Sequence, residues 1–399
     1  MAPIYITLRW EFFMHIIDNG NMWTVAAVWM TLAAISAFLA IRFKMAAALV
    51  EIIIGMLAGN LIGLHTNAWI DFVAGFGSIL LTFLAGAEID PVVLRTQIVP
   101  ATTIGAVSFG APFVAAGLYA FFFAHWSFEG AKIAGVAMST TSVAVVYAVM
   151  VESGLAGKQF GQLVLAACFF TDLGTVVALG LLFANYNLWL VLLVAAIIAA
   201  MVIVPKVLPG MIERTQRYVS EPGFRVLFAV IFILSAVATY AKSEGVLPAY
   251  FLGLACAGMM MSHSNVKRRL QTITMTLLTP FYFLKAGTYV SLREAWDGIG
   301  LIAAFFAVKV GAKILGVLPT ARLFKFQARD ANYLTLMMAT GLTFGTISAL
   351  YGLTHHYINQ AQYTTLVTVV ILTAIVPTFV AQALFKPKED PEEMEAEVP

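Results

Sequence analysis

Apolar residues run through this chain in long blocks separated by short polar connections. A helix needs about 20 such residues to cross roughly 30 Å of hydrocarbon. Thirteen blocks of that kind can be drawn, at 22–43, 46–64, 68–87, 99–123, 130–152, 159–183, 187–208, 223–241, 246–263, 272–290, 298–318, 331–353 and 362–385. The pattern predicts an all-α integral membrane protein with one transmembrane domain over 22–385. Residues 1–21 precede it as an N-terminal interfacial segment anchored by Trp10, Phe12 and Phe13. Residues 386–399 follow as a short acidic tail, too polar to fold alone.

Two of the blocks carry a polar interruption. The fifth contains Ser139-Thr140-Thr141-Ser142, and the twelfth contains Ala339-Thr340-Gly341-Leu342-Thr343-Phe344-Gly345. Three spans before each lies a glycine-spaced helix, Gly55-Met56-Leu57-Ala58-Gly59 in the second span and Gly253-Leu254-Ala255-Cys256-Ala257-Gly258 in the ninth. Small residues also serve simply to bring helices close in lipid. The matched spacing favours an inverted repeat with two crossing discontinuous helices at the membrane midplane.

Composition agrees with the pattern. Of 399 residues, 61% are hydrophobic and 11% charged, and a net charge of +2 invokes no nucleic acid. Cys168 and Cys256 both fall in apolar blocks, so no disulfide framework is expected. Arg9, Glu11 and Asp18 interrupt what would be the apolar core of a cleavable leader. Lysine and arginine set the orientation. With the N-terminus outside, 16 basic residues fall in inward connections, and only Arg9, Lys132, Lys242 and Arg293 in outward ones. The chain is therefore expected to be multi-pass in the cytoplasmic (inner) membrane, with its N-terminus outside and its C-terminus inside.

Five ionisable side chains sit inside the blocks: Glu51, Asp172, Lys285, Lys309 and Lys313. A charge at the bilayer centre costs about 2.5–3.5 kcal/mol or more, so function is the default reading. Asp172, halfway along the sixth span, offers a hard carboxylate that suits Na+ or a proton. The two ions can then compete for one site. The plainer alternative is a salt bridge to one of the lysines. Lys309 and Lys313, four residues apart, share a helix face. One of them can neutralise Asp172 while the other snorkels toward Arg322, and Lys285 is a third candidate counter-charge. Glu51, one turn inside its span, is placed near the interface. The six histidines fall at span ends or in connections and show no metal-ligand spacing. No nucleophile elbow, phosphate-binding glycine loop or zinc motif is present, so neither an enzyme nor a cofactor is expected.

These residues resemble a known family. Gly86-Ala87-Glu88-Ile89-Asp90-Pro91 is similar to the Gly-Leu-Glu-Leu-Asp signature of bacterial monovalent cation:proton antiporters, the branch of sodium/proton antiporters and Kef-type potassium efflux transporters. Thr141-Ser142-Val143 resembles their unwound crossing helix, and Thr171-Asp172 falls where they carry an ion-binding pair. Ala312-Lys313-Ile314-Leu315-Gly316 resembles the segment with their membrane lysine, and Thr279-Pro280-Phe281-Tyr282-Phe283 their tenth span. The likeness runs from about residue 25 to 385.

It implies the sodium/proton antiporter fold, and a homodimer in the lipid bilayer whose mobile core moves against a scaffold. It also implies exchange of Na+, or of K+, for H+. Asp172 would be the ion carrier, with Thr171, Thr140, Thr141 and Ser142 beside it, Lys313 the counter-charge, and Thr340, Gly341 and Thr343 on the second crossing helix. Three departures stand out. Thr171 replaces the first acidic or amide member of the pair, Lys285 stands where an apolar residue is usual, and the twelfth span lacks charge. Two rival readings are a sodium-coupled symporter of an organic anion, with Lys285 attracting the solute, and a channel or sensor.

Overall fold

The structure, a computed structural model, describes residues 22–43, 45–87, 97–155, 158–183, 188–215, 221–241 and 245–387. The expected N-terminal segment, Glu88–Pro91 of the signature and nearly all of the acidic tail lie outside these residues.

Helices are the regular elements among the described residues: α1 (Met22–Phe43), α2 (Ala47–Ile62), α3 (Ala68–Ala87), α4 (Ile98–Leu118), α5 (Phe128–Ser139), α6 (Val143–Glu152), α7 (Gln159–Leu182), α8 (Leu188–Thr215), α9 (Pro222–Tyr240), α10 (Val246–Ser262), α11 (Ser264–Ile273), α12 (Thr279–Thr288), α13 (Leu292–Asp297), α14 (Ile299–Leu323), α15 (Ala328–Met338), α16 (Thr343–Thr354) and α17 (Gln360–Val380). Every one of the thirteen expected blocks coincides with a helix or with a pair of half-helices. Nine are long and apolar enough to cross a membrane by length and composition, and Ala47–Ile62 and Val246–Ser262 are shorter apolar helices. The remaining two are the fifth block, split into α5 and α6, and the tenth, where a π-helical stretch over Thr274–Leu278 separates α11 from α12.

The interruptions follow from local chemistry. Hydroxyl side chains compete for backbone groups and so end helices. Ser139 Oγ donates to Val136 O (2.7 Å), and Thr140 Oγ1 to Ala137 O (3.1 Å). These bonds satisfy carbonyls left open at the end of α5, and Thr140 is extended (φ −64°, ψ 151°). Ser142 Oγ then accepts from Val145 N (3.4 Å) at the start of α6. Thr340 repeats the first device at the end of α15, donating to Met337 O (2.8 Å).

Helix pairing obeys the repeat. The most intimate pairs are α3 with α10 and α2 with α12, that is, spans 3 with 9 and 2 with 10. These exchange under the seven-span shift that relates the two halves. The glycine motifs make both contacts possible: a Cβ on Gly55 would collide with Leu284 O, and one on Gly253 with Phe83 O. The half-helix α5 likewise packs on α16, while α4 and α14 contact each other and adjoin α5 and α15 respectively. Lipid tails supply no hydrophobic drive between helices, so such close backbone packing is what holds the bundle.

Candidate functional site

The two interruptions meet. Thr141 Oγ1 donates to Met338 O, the last residue of α15, at 2.8 Å. A Cβ on Gly341 would collide with Lys309 Nζ and stand 3.1 Å from Thr140 Oγ1, so glycine here leaves room for the end of the lysine. Thr140, Thr141, Ser142, Thr340 and Gly341 are fully buried around it, and Thr343 opens α16.

Asp172 lies mid-way along α7 and is 2% exposed. Its Oδ1 has no hydrogen-bond partner among the described residues. The adjacent hydroxyls do not turn to it: Thr171 Oγ1 donates to Ala167 O (3.0 Å) and Thr175 Oγ1 to Thr171 O (3.0 Å). Their donors are thus committed to the helix, while their oxygen lone pairs remain open to a cation. A buried carboxylate oxygen without a donor is a vacant acceptor.

Lys313 Nζ makes three short hydrogen bonds, to Ser108 Oγ (2.7 Å), Ser139 O (2.9 Å) and Thr141 Oγ1 (3.1 Å). Each of its N–H bonds has an acceptor. One acceptor is a carbonyl at the end of α5, where the helix dipole favours a positive charge. Among the described residues no ion pair joins a lysine to Asp172. The salt bridge weighed as the plainer alternative is not among the ion pairs of the described residues, and Lys313 instead compensates a broken helix end.

The other lysines also depart from expectation. Lys309 shares the face of Lys313, but neither snorkels, because both are fully buried. Lys309 Nζ has no hydrogen-bond partner among the described residues. Lys285 is taken by Asp71 of α3 at 2.7 Å, with side chains 11% and 45% exposed. The carboxylate in the first turn of α3 is thus its ion-pair partner. Glu51 is buried, at 4% exposure.

Sequence reasoning missed Ser108 and Asp71. A hydroxyl inside the apolar run of α4 was a readable signal for the first. An acid in the first turn of a span was one for the second. Two tyrosine hydroxyls were also missed: Tyr250 donates to Phe169 O (3.3 Å) and Tyr363 to Ala286 O (2.6 Å).

A profile of the family described as "Sodium/hydrogen exchanger, transmembrane" matches residues 28–386. The chain belongs to the sodium/hydrogen exchanger family. Among individual relatives, YjbQ of Bacillus subtilis is 22% identical over 378 residues, covering 88% of this chain and 61% of YjbQ. GerN of Bacillus cereus, a Na(+)/H(+)-K(+) antiporter by name, is 24% identical over 353 residues, covering 85% of this chain and 89% of GerN. The fold matches the structure of the sodium proton antiporter MjNhaP1 from Methanocaldococcus jannaschii with a TM-score of 0.70. There the identity is 14%, and the match covers 91% of this chain and 98% of that one. The exchanger family's antiporter fold is thus present over nearly the whole chain.

Proposed function

We propose that this chain is a secondary antiporter that exchanges Na+ for H+ by alternating access, with K+ as the second candidate cation. One observation supports it above the rest. A buried carboxylate with no ion pair among the described residues, Asp172, lies one turn along α7 from Cys168, which meets Met338 at the second interruption (3.7 Å), in an exchanger fold. Asp172 takes a cation or a proton in turn. Either ligand neutralises it, whereas the bare carboxylate is too costly to carry through the membrane centre. A ligand shifts the carrier only by its differential interaction with the two end states, so both ligands must satisfy the same acceptor. The lone pairs of Thr171, Thr140, Thr141 and Ser142 complete the cation's oxygen shell. Thr340, Gly341 and Thr343 shape the second crossing helix against it.

In the same reading α4–α7 and α14–α17 form a mobile core, and α1–α3 with α8–α12 a scaffold that pairs in a homodimer. The chain lies in the inner membrane with its N-terminus outside and its C-terminus cytoplasmic. The organic-anion alternative loses its attracting cation, since Lys285 is held by Asp71.

Proteoliposomes loaded with a pH dye and pulsed separately with Na+, K+ and Li+ test the proposal. Proton release on the Na+ pulse is the expected result. Flux that carries current without counter-moving protons would make the protein a channel.

A further inference from the structure

Ser108 is the one group in the Lys313 network that belongs to neither crossing helix. It lies on α4, fully buried, and its Oγ makes the shortest of the three lysine contacts (2.7 Å). Helix α4 is clasped on both sides around it. A Cβ on Gly105 would stand 2.5 Å from Phe170 Cβ and 2.8 Å from Ala167 O on α7, the helix of Asp172. A Cβ on Gly316 would stand 2.9 Å from Val107 Cγ1 and 3.0 Å from Ala111 Cβ, which seats α14, the helix of Lys313, on the same turn of α4. Ser108 thereby lies on a turn of α4 held between α7, which carries Asp172, and α14, which carries Lys313.

We infer that Ser108 is a positioning residue for cation binding: it holds the Lys313 ammonium on the α5 terminus and so keeps it off Asp172. This rests on the antiporter reading above. An ammonium has three N–H bonds to place. With Ser108, Ser139 O and Thr141 all accepting, none is left over. Remove the Ser108 hydroxyl and one buried N–H needs a new acceptor. A buried donor left unpaired is costly. Asp172, whose Oδ1 has no partner among the described residues, is the charged acceptor on α7, the helix packed against this same turn of α4 at Gly105. An ammonium on Asp172 competes with the transported cation for the same oxygens. Binding weakens, while the movement of the loaded core is unchanged.

Two measurements test this, and the first needs no transport. In a thermal-unfolding cycle in detergent, Ser108→Ala should lower the midpoint in the wild-type background and leave it unchanged in a Lys313→Met background. Additive effects would overturn the proposed bond. The second is Na+-driven proton flux against Na+ concentration. Ser108→Ala should raise the KM for Na+ by about tenfold with Vmax within about twofold, and Ser108→Thr, which keeps the hydroxyl, should restore the wild-type KM. An unchanged KM in Ser108→Ala, or a fall in Vmax alone, would reduce Ser108 to a packing residue. Absence of any cation-driven flux in the wild type would count against the antiporter reading, with the unfolding cycle still judging the Ser108–Lys313 bond.

Discussion

Lys309 and Lys313 lie one helical turn apart on the same face of α14, and both are fully buried. Their surroundings differ completely. Lys313 has three acceptors and sits at a helix C-terminus. Lys309 points at Gly341 and has no acceptor among the described residues. Burial alone therefore does not define a charge's role in this membrane core. What the ammonium touches does. One lysine holds a broken helix together, and the other is a charge accommodated by a missing side chain.

The largest effect that sharpens this contrast is expected at Lys313. Lys313→Met strands Ser108 Oγ, Ser139 O and Thr141 Oγ1 without their donor and removes the charge facing the α5 terminus. Hydrogen bonds to charged groups contribute about 1.5–3 kcal/mol each, so stability should fall by on the order of 3 kcal/mol and flux by more than tenfold. Lys309→Met, measured by the same unfolding scan, should leave the midpoint unchanged or raise it, because an unpaired buried charge is replaced by an apolar chain of similar length. Equal losses at both positions would erase the distinction.

Gly341→Ala should come next. Its methyl group meets Lys309 Nζ and Thr140 Oγ1, and overpacking of this kind costs about 1–3 kcal/mol. The obstacle is the end of a flexible side chain, so Lys309→Ala in the same protein should restore most of the lost midpoint. Failure to restore it would place the conflict in the backbone of the crossing instead.

The smallest effect is expected at the Lys285–Asp71 pair. Lys285 is 11% exposed but Asp71 is 45% exposed, so water screens the pair from the aspartate side, and ion pairs open to water contribute about 0–1 kcal/mol. Asp71→Asn should leave Na+-driven proton flux within about twofold, consistent with the low energy of such pairs. A large loss would bring this pair into the ion path.

The fold was legible because membrane spans are set by length and hydropathy, and the two polar interruptions announce themselves within apolar runs. Ser139–Ser142 and Thr340–Gly341 stop helices through hydroxyls that bond the preceding carbonyls, which is local chemistry readable from one sequence. The partners of the lysines were not legible. Asp71 and Lys285 are more than two hundred positions apart in sequence, and Lys313 finds Ser108 only because α4 and α14 pack at Gly316. Such pairings depend on which helices meet, and hydropathy is silent on that. Lys313, the counter-charge that the resemblance implies, bonds two hydroxyls and a carbonyl that no local pattern pointed to.

The central claim is that Asp172 alone exchanges a cation for a proton, and one experiment addresses it directly. Wild-type protein and Asp172→Asn, each verified as folded by its unfolding midpoint, are reconstituted and given a Na+ gradient, with the membrane potential clamped by valinomycin and K+. The account predicts Na+-driven proton flux in the wild type and none in Asp172→Asn, whose amide keeps the shape but neither releases a proton nor carries the charge that holds a cation. Wild-type-like exchange in the asparagine variant would contradict it and remove Asp172 from the mechanism.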